Sequence, residues 1–448
     1  MPDQTRHIVM VIADSLRYDS VWNNGGPNLP YIQSHSTTFH QAYSAGCWTL
    51  PATASMFTGL MPHEHHATTR SRGLDVSVPT LAEQMQRRGY ETVQLTANTV
   101  TTHIFGLDRG FQRVERVWEH IHPGKILFTN ILVLMGKRRI REKFLHGDFI
   151  TGKMTEDIQA GQTWAQSFAS FQFQRAKEIL QDADRRGKKV FLFINLMETH
   201  FPYHITRKFH LLSQDVIDKL RELLSMFHLV NQTWLTSDKR HIRQKMLNVL
   251  RKRQQISWEW FSSEVDQFFY DLNKLHPESL LIFTADHGDN FGDEGWKYHF
   301  SNVTEAGNRV PLFVMGPDVP EGEENYQPAT MRRLFDFILE GANDLPSFEN
   351  FYGEDIIPLI ESYWYNRNGE TLPKYQNDQL AFIYNGQRFV YREGQWHAFS
   401  LGSGDSAEVE EMPVDANPLY DLPLSSSVEK QLINQFEAFQ KFSNKLSA

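Results

Sequence analysis

The chain has a single cysteine, Cys47, in 448 residues. That excludes an internal disulfide and any zinc cluster built on thiolates. Long hydrophobic runs are also missing. The first apolar run, Ile8–Ala13, is ended by Asp14 and is too short for the core of a secretory signal. The stretch from Ile126 to Gly136 is interrupted by Thr129 and Asn130 and falls short of a membrane span. Positive charge is not in excess: the formal net charge of −9 argues against a nucleic-acid partner. There is no internal repeat and no low-complexity tract. These absences predict a soluble, cytoplasmic globular chain without a transmembrane segment, long enough for one large core or two moderate ones. Metal chemistry through oxygen and imidazole stays open, because 19 histidines and 54 acidic residues are present.

The pattern of what is present is α/β. The β-branched run Ile8–Ala13 reads as a strand buried on both faces of a parallel sheet, with Asp14 at its carboxyl end, where open α/β sheets place ligands. Helix–strand pairs follow at Thr80–Arg88 with Thr92–Thr96, Arg175–Arg186 with Val190–Leu196, and Ser263–Leu275 with Leu280–Thr284. Val310–Met315 adds a buried strand and Met331–Leu339 a helix. This alternation predicts a large doubly wound mixed sheet flanked by helices over residues 1–365, interrupted by helix-rich insertions near 115–174 and 207–258. From 366 to 448 the character changes. Short runs Leu380–Tyr384, Arg388–Arg392 and Gln395–Phe399 are broken by Asn-Gly and Glu-Gly, and a helix Ser427–Lys445 closes the chain. That is a small C-terminal α+β subdomain with an antiparallel sheet.

The insertions are basic. One carries Lys239, Arg240, Arg243, Lys245, Arg251, Lys252 and Arg253, the other Lys137, Arg138, Arg139 and Arg141. They are either solvated helical faces or a rim that attracts a polyanionic or lipid-headgroup substrate at a membrane surface.

Pro51 suits the first turn of a helix and Gly59 its left-handed end. Thr49 is then expected just ahead of a helix N-terminus, where free N–H groups and the dipole favour an anion. Its hydroxyl either caps the helix or attacks a phosphate or sulfate ester. Asp14, Asp286 and His287 fall at predicted strand ends on one sheet edge, although turn chemistry also explains Asp-His-Gly. Two carboxylates and an imidazole suit a divalent metal: Mg, Mn, Ca or Zn. Such an ion lowers a hydroxyl's pKa and screens an ester's charge. The cluster His63, His65 and His66 reads as a structural helix end.

Three runs carry a resemblance: Ile12-Ala13-Asp14-Ser15-Leu16-Arg17, Trp48-Thr49-Leu50-Pro51 continuing to Phe57-Thr58-Gly59-Leu60, and Thr284-Ala285-Asp286-His287-Gly288-Asp289. With His200-Phe201-Pro202-Tyr203, Arg309-Val310-Pro311-Leu312 and Leu419-Tyr420-Asp421-Leu422 in order, the chain resembles the sulfatase-like branch of the alkaline phosphatase superfamily. The resemblance implies an alkaline phosphatase-like fold, with Asp14, Asp286 and His287 holding the metal and Thr49 as a metal-bound nucleophile. It also implies that His200 touches the ester's non-bridging oxygens, that His299 or Lys297 assists the leaving oxygen, and that Asn98 is a further oxyanion donor. Glu198, His200, His204 and His299 are the groups that would hold a second ion. Three departures matter. Sulfatases place Cys or Ser, converted to formylglycine, where Thr49 stands, and Arg where Thr53 stands; Ser15 replaces a second aspartate. Threonine cannot be converted, and in the superfamily it accompanies phosphoryl transfer through a covalent phosphothreonine. The expected activity is metal-dependent hydrolysis of a phosphate monoester, diester or phosphonate ester, from a small molecule or a headgroup. A sulfatase working without formylglycine, a phosphoryl-headgroup transferase and a catalytically silent binding protein of the same fold are the alternatives.

Overall fold

The computed structural model describes residues 6–22, 28–71, 73–120, 168–201, 203, 244–299, 301–317, 319–342, 348, 351–352, 357–364, 376–402, 411–412 and 417–447. Most of both insertions, including Lys137–Arg141, His204, Lys239, Arg240 and Arg243, lies outside them.

Nine strands form the main sheet: β1 (Ile8–Ala13), β2 (Thr37–Tyr43), β3 (Tyr90–Thr96), β4 (Arg113–Arg116), β5 (Lys189–Leu196), β6 (Leu280–Thr284), β7 (Arg309–Met315), β8 (Glu323–Asn325) and β9 (Ala329–Thr330). Their order is β4-β3-β5-β1-β6-β7-β2-β8, with β9 also on β2. The sheet is mixed, as expected. β3, β5, β1 and β6 run parallel. β7 is antiparallel to β6 and β2 is antiparallel to β7. Two reversals restore the direction, so β2 ends on the same edge as β1, β3, β5 and β6. Each residue of β1 is fully buried, which is why it reads as an unbroken apolar run.

Helices cover both faces. On one lie α1 (Thr49–Thr58), α2 (Leu81–Arg87) and α5 (Leu334–Gly341), which touch one another, with Phe57 edge-on to Phe193 of β5. On the other lie α3 (Phe168–Arg185) and α4 (Gln244–Leu275), where Trp258 stacks on Phe283 of β6. Both helices begin earlier than the sequence pattern indicates, taking in the ends of the two insertions. α1 also begins earlier: Trp48 is its extended N-cap and Thr49 its first residue, so Thr49 is inside the helix rather than ahead of it. Gly59 closes it at φ 73.

The second sheet is antiparallel and starts before residue 366. It comprises β10 (Leu359–Ser362), β11 (Gln379–Tyr384), β12 (Gln387–Arg392), β13 (Gln395–Ser400) and β14 (Glu411–Met412), covered by α6 (Ser426–Ser447). β10 grips the chain around α1. Glu361 N–H donates to Ala45 O at 2.9 Å, and its carboxylate accepts from His63 Nδ1 at 2.6 Å and His63 N at 3.0 Å.

His65 is fully buried, accepting from Ala67 N at Nδ1 (3.0 Å) and donating from Nε2 to Ser55 Oγ (3.0 Å). Both nitrogens are committed in the neutral form. Burial, with His63 and His66 beside it, lowers its pKa to about 3. The folded pKa is depressed below the unfolded value of 6.5, so protons favour the unfolded chain and stability falls as pH drops below 6.5. By pH 5 this one group should cost about 2 kcal/mol. Denaturant unfolding from pH 7.5 to 5 should show the slope, and His65→Gln should flatten it while lowering stability at neutral pH.

Candidate active site

Five strand ends deliver the site. Asp14 follows β1 and is completely buried; its N–H donates to Leu196 O at 2.9 Å, and its carbonyl accepts from Thr199 Oγ1 at 2.7 Å. Ser15 sits in the left-handed region at φ 60. It is no ligand replacement for an aspartate but a brace. Its N–H donates to Asp286 Oδ1 and its Oγ to Asp14 Oδ1, both at 3.1 Å. Gln254 of α4 holds the same turn by donating to Ser15 O at 2.8 Å and Thr199 O at 3.1 Å.

Asn98 follows β3 and caps the 3-10 turn Thr99–Thr101, its Oδ1 accepting from Val100 N at 2.8 Å. That fixes the amide, and Nδ2 donates to Asp14 Oδ2 at 2.6 Å and lies 3.4 Å from Thr49 Oγ1. β2 leads to Thr49, whose Oγ1 is 3.3 Å from Asp14 Oδ2 and 3.4 Å from His287 Nε2. The hydroxyl therefore points into the site and does not cap α1.

After β6 come Asp286 and His287, both fully buried. His287 Nδ1 donates to Gly288 O at 2.8 Å, which leaves the lone pair on Nε2, 3.8 Å from Asp14 Oδ1 and 3.5 Å from Asp286 Oδ2. Gly288 is required: a Cβ there would overlap the carbonyl of Ala306. Burial alone would raise the Asp14 pKa; the imidazoles of His200 and His287 and the Asn98 amide outweigh it and hold the acid below its ordinary range. Burial and the Asp14 charge push Asp286 well above its range, and burial lowers His287. Two buried carboxylates beside one another need a cation to ionise together.

The residues fit a divalent ion. Ligand atoms of Asp14, Asp286 and His287 all lie within 4.8 Å of one another. Asp286 Oδ2 is buried without a hydrogen-bond partner, an orphaned oxygen facing the histidine lone pair. An oxygen-rich set with one imidazole accommodates Mg, Mn, Ca or Zn.

Around this core stand the remaining expected groups. The ring of His299 lies 4.6 Å from that of His287 and 5.4 Å from that of His200. His200 Nδ1 donates to Phe201 O at 2.6 Å. Lys297 is half-buried two residues before His299, and burial lowers its ammonium pKa. Glu198 turns elsewhere: Oε1 accepts from Ala169 N at 2.8 Å at the start of α3, and burial raises its pKa to about 7. Thr53, where sulfatases carry arginine, is buried with an unpartnered hydroxyl.

One participant lies in a run that carries the resemblance, but the sequence pattern assigns it no role. Arg17 is fully buried, forked on Asp19 at 2.7 and 2.6 Å, paired with Asp293 at 2.9 Å and donating to Asp289 O at 2.7 Å. It ties the turn after β1 to the loop after β6. The other metal-ligating group among the described residues is His7, Asp184 and His276. There Val190 N donates to His7 Nδ1 at 3.2 Å, which puts the proton on Nε2, where it bonds Asp184 at 2.9 Å. That nitrogen is a donor in the structure and offers no lone pair to an ion.

Residues 6–344 match the family model described as sulfatase. The chain belongs to the sulfatase family. It is 25% identical over 309 residues to choline-sulfatase of Rhizobium meliloti (strain 1021), covering 66% of this chain and 59% of that protein. Arylsulfatase K of Xenopus laevis is 21% identical over 446 residues, 92% of this chain and 77% of the relative. Among solved structures, the phosphonate monoester hydrolase from Silicibacter pomeroyi superposes with a TM-score of 0.63 at 16% identity, covering 97% of this chain and 95% of that one. The α/β fold is thus shared with hydrolases of this superfamily.

Removing one of the two crowded carboxylates separates metal binding from folding. In chelator, Asp286→Asn should raise stability by about 1–3 kcal/mol, because no second acid then has to be kept protonated beside the buried Asp14 charge. Saturating Mn should stabilise the unaltered protein by about 3 kcal/mol at a hundredfold excess over Kd and leave the variant unmoved. Thermal melts with and without chelator read both effects.

Proposed function

We propose that this chain hydrolyses phosphate monoesters, diesters or phosphonate esters, with Thr49 as nucleophile and a phosphorylated threonine as intermediate. The observation that carries the reading is Thr49 Oγ1, set at the N-terminus of α1 within 3.4 Å of both Asp14 Oδ2 and His287 Nε2. A bound divalent cation would supply a lowered hydroxyl pKa and screening of the ester's charge. The chain's own residues do the rest. Thr49 sheds its hydroxyl proton to solvent before the first turnover, and Oγ, now an alkoxide, attacks phosphorus opposite the leaving oxygen; the later release of threonine restores that alkoxide, and the N–H groups of the first turn of α1 face the developing charge. Asn98 Nδ2 donates to a non-bridging oxygen, as does His200 through Nε2 in its doubly protonated form, and His299 gives its proton to the leaving oxygen. Water then attacks phosphorus of the phosphothreonine, its proton returning to His299, and threonine is released.

Threonine favours phosphorus. A formylglycine hydrate expels sulfate by breaking its own carbon–oxygen bond, whereas a threonine ester is cleared only by a second attack on the central atom. Cys47 does not stand in for a convertible residue. Its Sγ bonds Ser362 Oγ at 3.3 Å, and burial pushes the thiol pKa up.

A second reading, hydrolysis of a sulfate ester by Thr49 directly, is favoured by the names of the relatives, choline-sulfatase and arylsulfatase K. One panel decides between them: aryl phosphate, aryl phosphodiester, aryl phosphonate and aryl sulfate, with Mn or Mg present. The expected result is turnover of the phosphorus esters above the sulfate, a loss of at least about a thousandfold in Thr49→Ala, and a phosphoryl adduct on the peptide holding Thr49 in quenched reactions. Undiminished turnover in Thr49→Ala would overturn the mechanism.

A further inference from the structure

His299 is one end of a buried chain of three side chains. Its Nδ1 lies 2.5 Å from Asp289 Oδ1, and a carboxylate only accepts, so Nδ1 carries a proton. Tyr203 OH donates to the other oxygen, Asp289 Oδ2, at 3.1 Å. Asp289 and Tyr203 are almost wholly buried, at 0% and 2% exposure. The backbone is bent to make this possible: Tyr203 is at φ 50 and Tyr298, next to His299, at φ 61, both in the left-handed region that side chains avoid. Arg17 anchors the backbone carbonyl of Asp289 at 2.7 Å, which fixes the main chain from which the carboxylate projects.

The geometry points to Asp289 as the positioning residue of His299, with Tyr203 positioning Asp289 in turn. With Nδ1–H engaged by the carboxylate, the imidazole is locked in rotation, and the proton given to the leaving oxygen is the one on Nε2. The negative charge of Asp289 also stabilises the imidazolium before that proton leaves. After the transfer His299 is neutral with hydrogen still on Nδ1, and the water that clears the phosphothreonine restores the Nε2 proton. Tyr203 keeps its own proton, because burial and the Asp289 charge push its phenol well above the ordinary range.

This inference rests on the proposed ester hydrolysis, and the leaving group separates the two. Substituted phenyl methylphosphonates with Mn are the probe, from 4-nitrophenyl, which departs without help, to unsubstituted phenyl, which needs the proton. Asp289→Asn should lower turnover of the phenyl ester by about a hundredfold and of the 4-nitrophenyl ester by less than about tenfold. Tyr203→Phe should show the same pattern more weakly. In a His299→Asn background, Asp289→Asn should add little further loss, because both act through one group. Bound Mn, counted by elemental analysis, should be unchanged throughout. An equal loss for both esters, or full additivity with His299→Asn, would overturn the positioning role while leaving the Thr49 mechanism standing. No turnover of any ester by the unaltered protein would remove both.

Discussion

Two carboxylates, Asp14 and Asp286, are buried completely and close enough that the charge of one raises the pKa of the other. In water such a pair is unremarkable; inside a protein it is unstable unless a cation or a proton intervenes. Much of the surrounding structure manages that constraint. Ser15 donates to both acids, Asn98 to Asp14, and His287 presents a lone pair between them instead of a proton. The orphaned oxygen of Asp286 shows what these donors do not satisfy. Holding apart charges that repel requires rigid support, and that support comes from the most deeply buried strands of the sheet.

The support reaches further than the main sheet. Thr49 reaches Asp14 only because β2, two antiparallel steps beyond β6, ends on the same edge. The segment it leads into is gripped by β10 through Glu361, Ala45 and His63. The second sheet is therefore a brace for the nucleophile and not an appendage. Strain gathers at the same place. Ser15, Tyr203, Glu294, Tyr298 and Ser301 all adopt left-handed backbone without being glycine. Arg17, with Asp19, Asp293 and the Asp289 carbonyl, holds two of those loops together.

The fold was largely legible because burial leaves a direct mark on composition. Ile8–Ala13 and Leu280–Thr284 are apolar throughout because both their faces are covered, and the structure places them as β1 and β6 at the centre of the sheet. β2 was not legible. Thr37-Thr38-Phe39-His40-Gln41-Ala42-Tyr43 mixes polar and apolar residues, and its place comes from pairing with β7. Helix starts were misjudged for a related reason: Thr49 precedes Pro51, yet the N-cap is Trp48, chosen by how the loop after β2 enters and not by capping chemistry.

By itself the sequence determined the class of the fold and which residue types stand at strand ends, because hydrophobic period and turn residues are local properties. It also determined that the hydroxyl at position 49 is threonine and beyond conversion to formylglycine, a matter of covalent structure alone. The tertiary structure decided the rest. Only it brings Asp14, Thr49, Asn98 and His287 within hydrogen-bonding reach, and only it turns Glu198 away to cap a helix. The pairing of Asp289 with Tyr203 was invisible beforehand because 86 residues separate them and their meeting depends on two bent loops. Proton placement and charge pairing depend on distances of a few ångströms between strands far apart in the chain, and no local pattern encodes those distances.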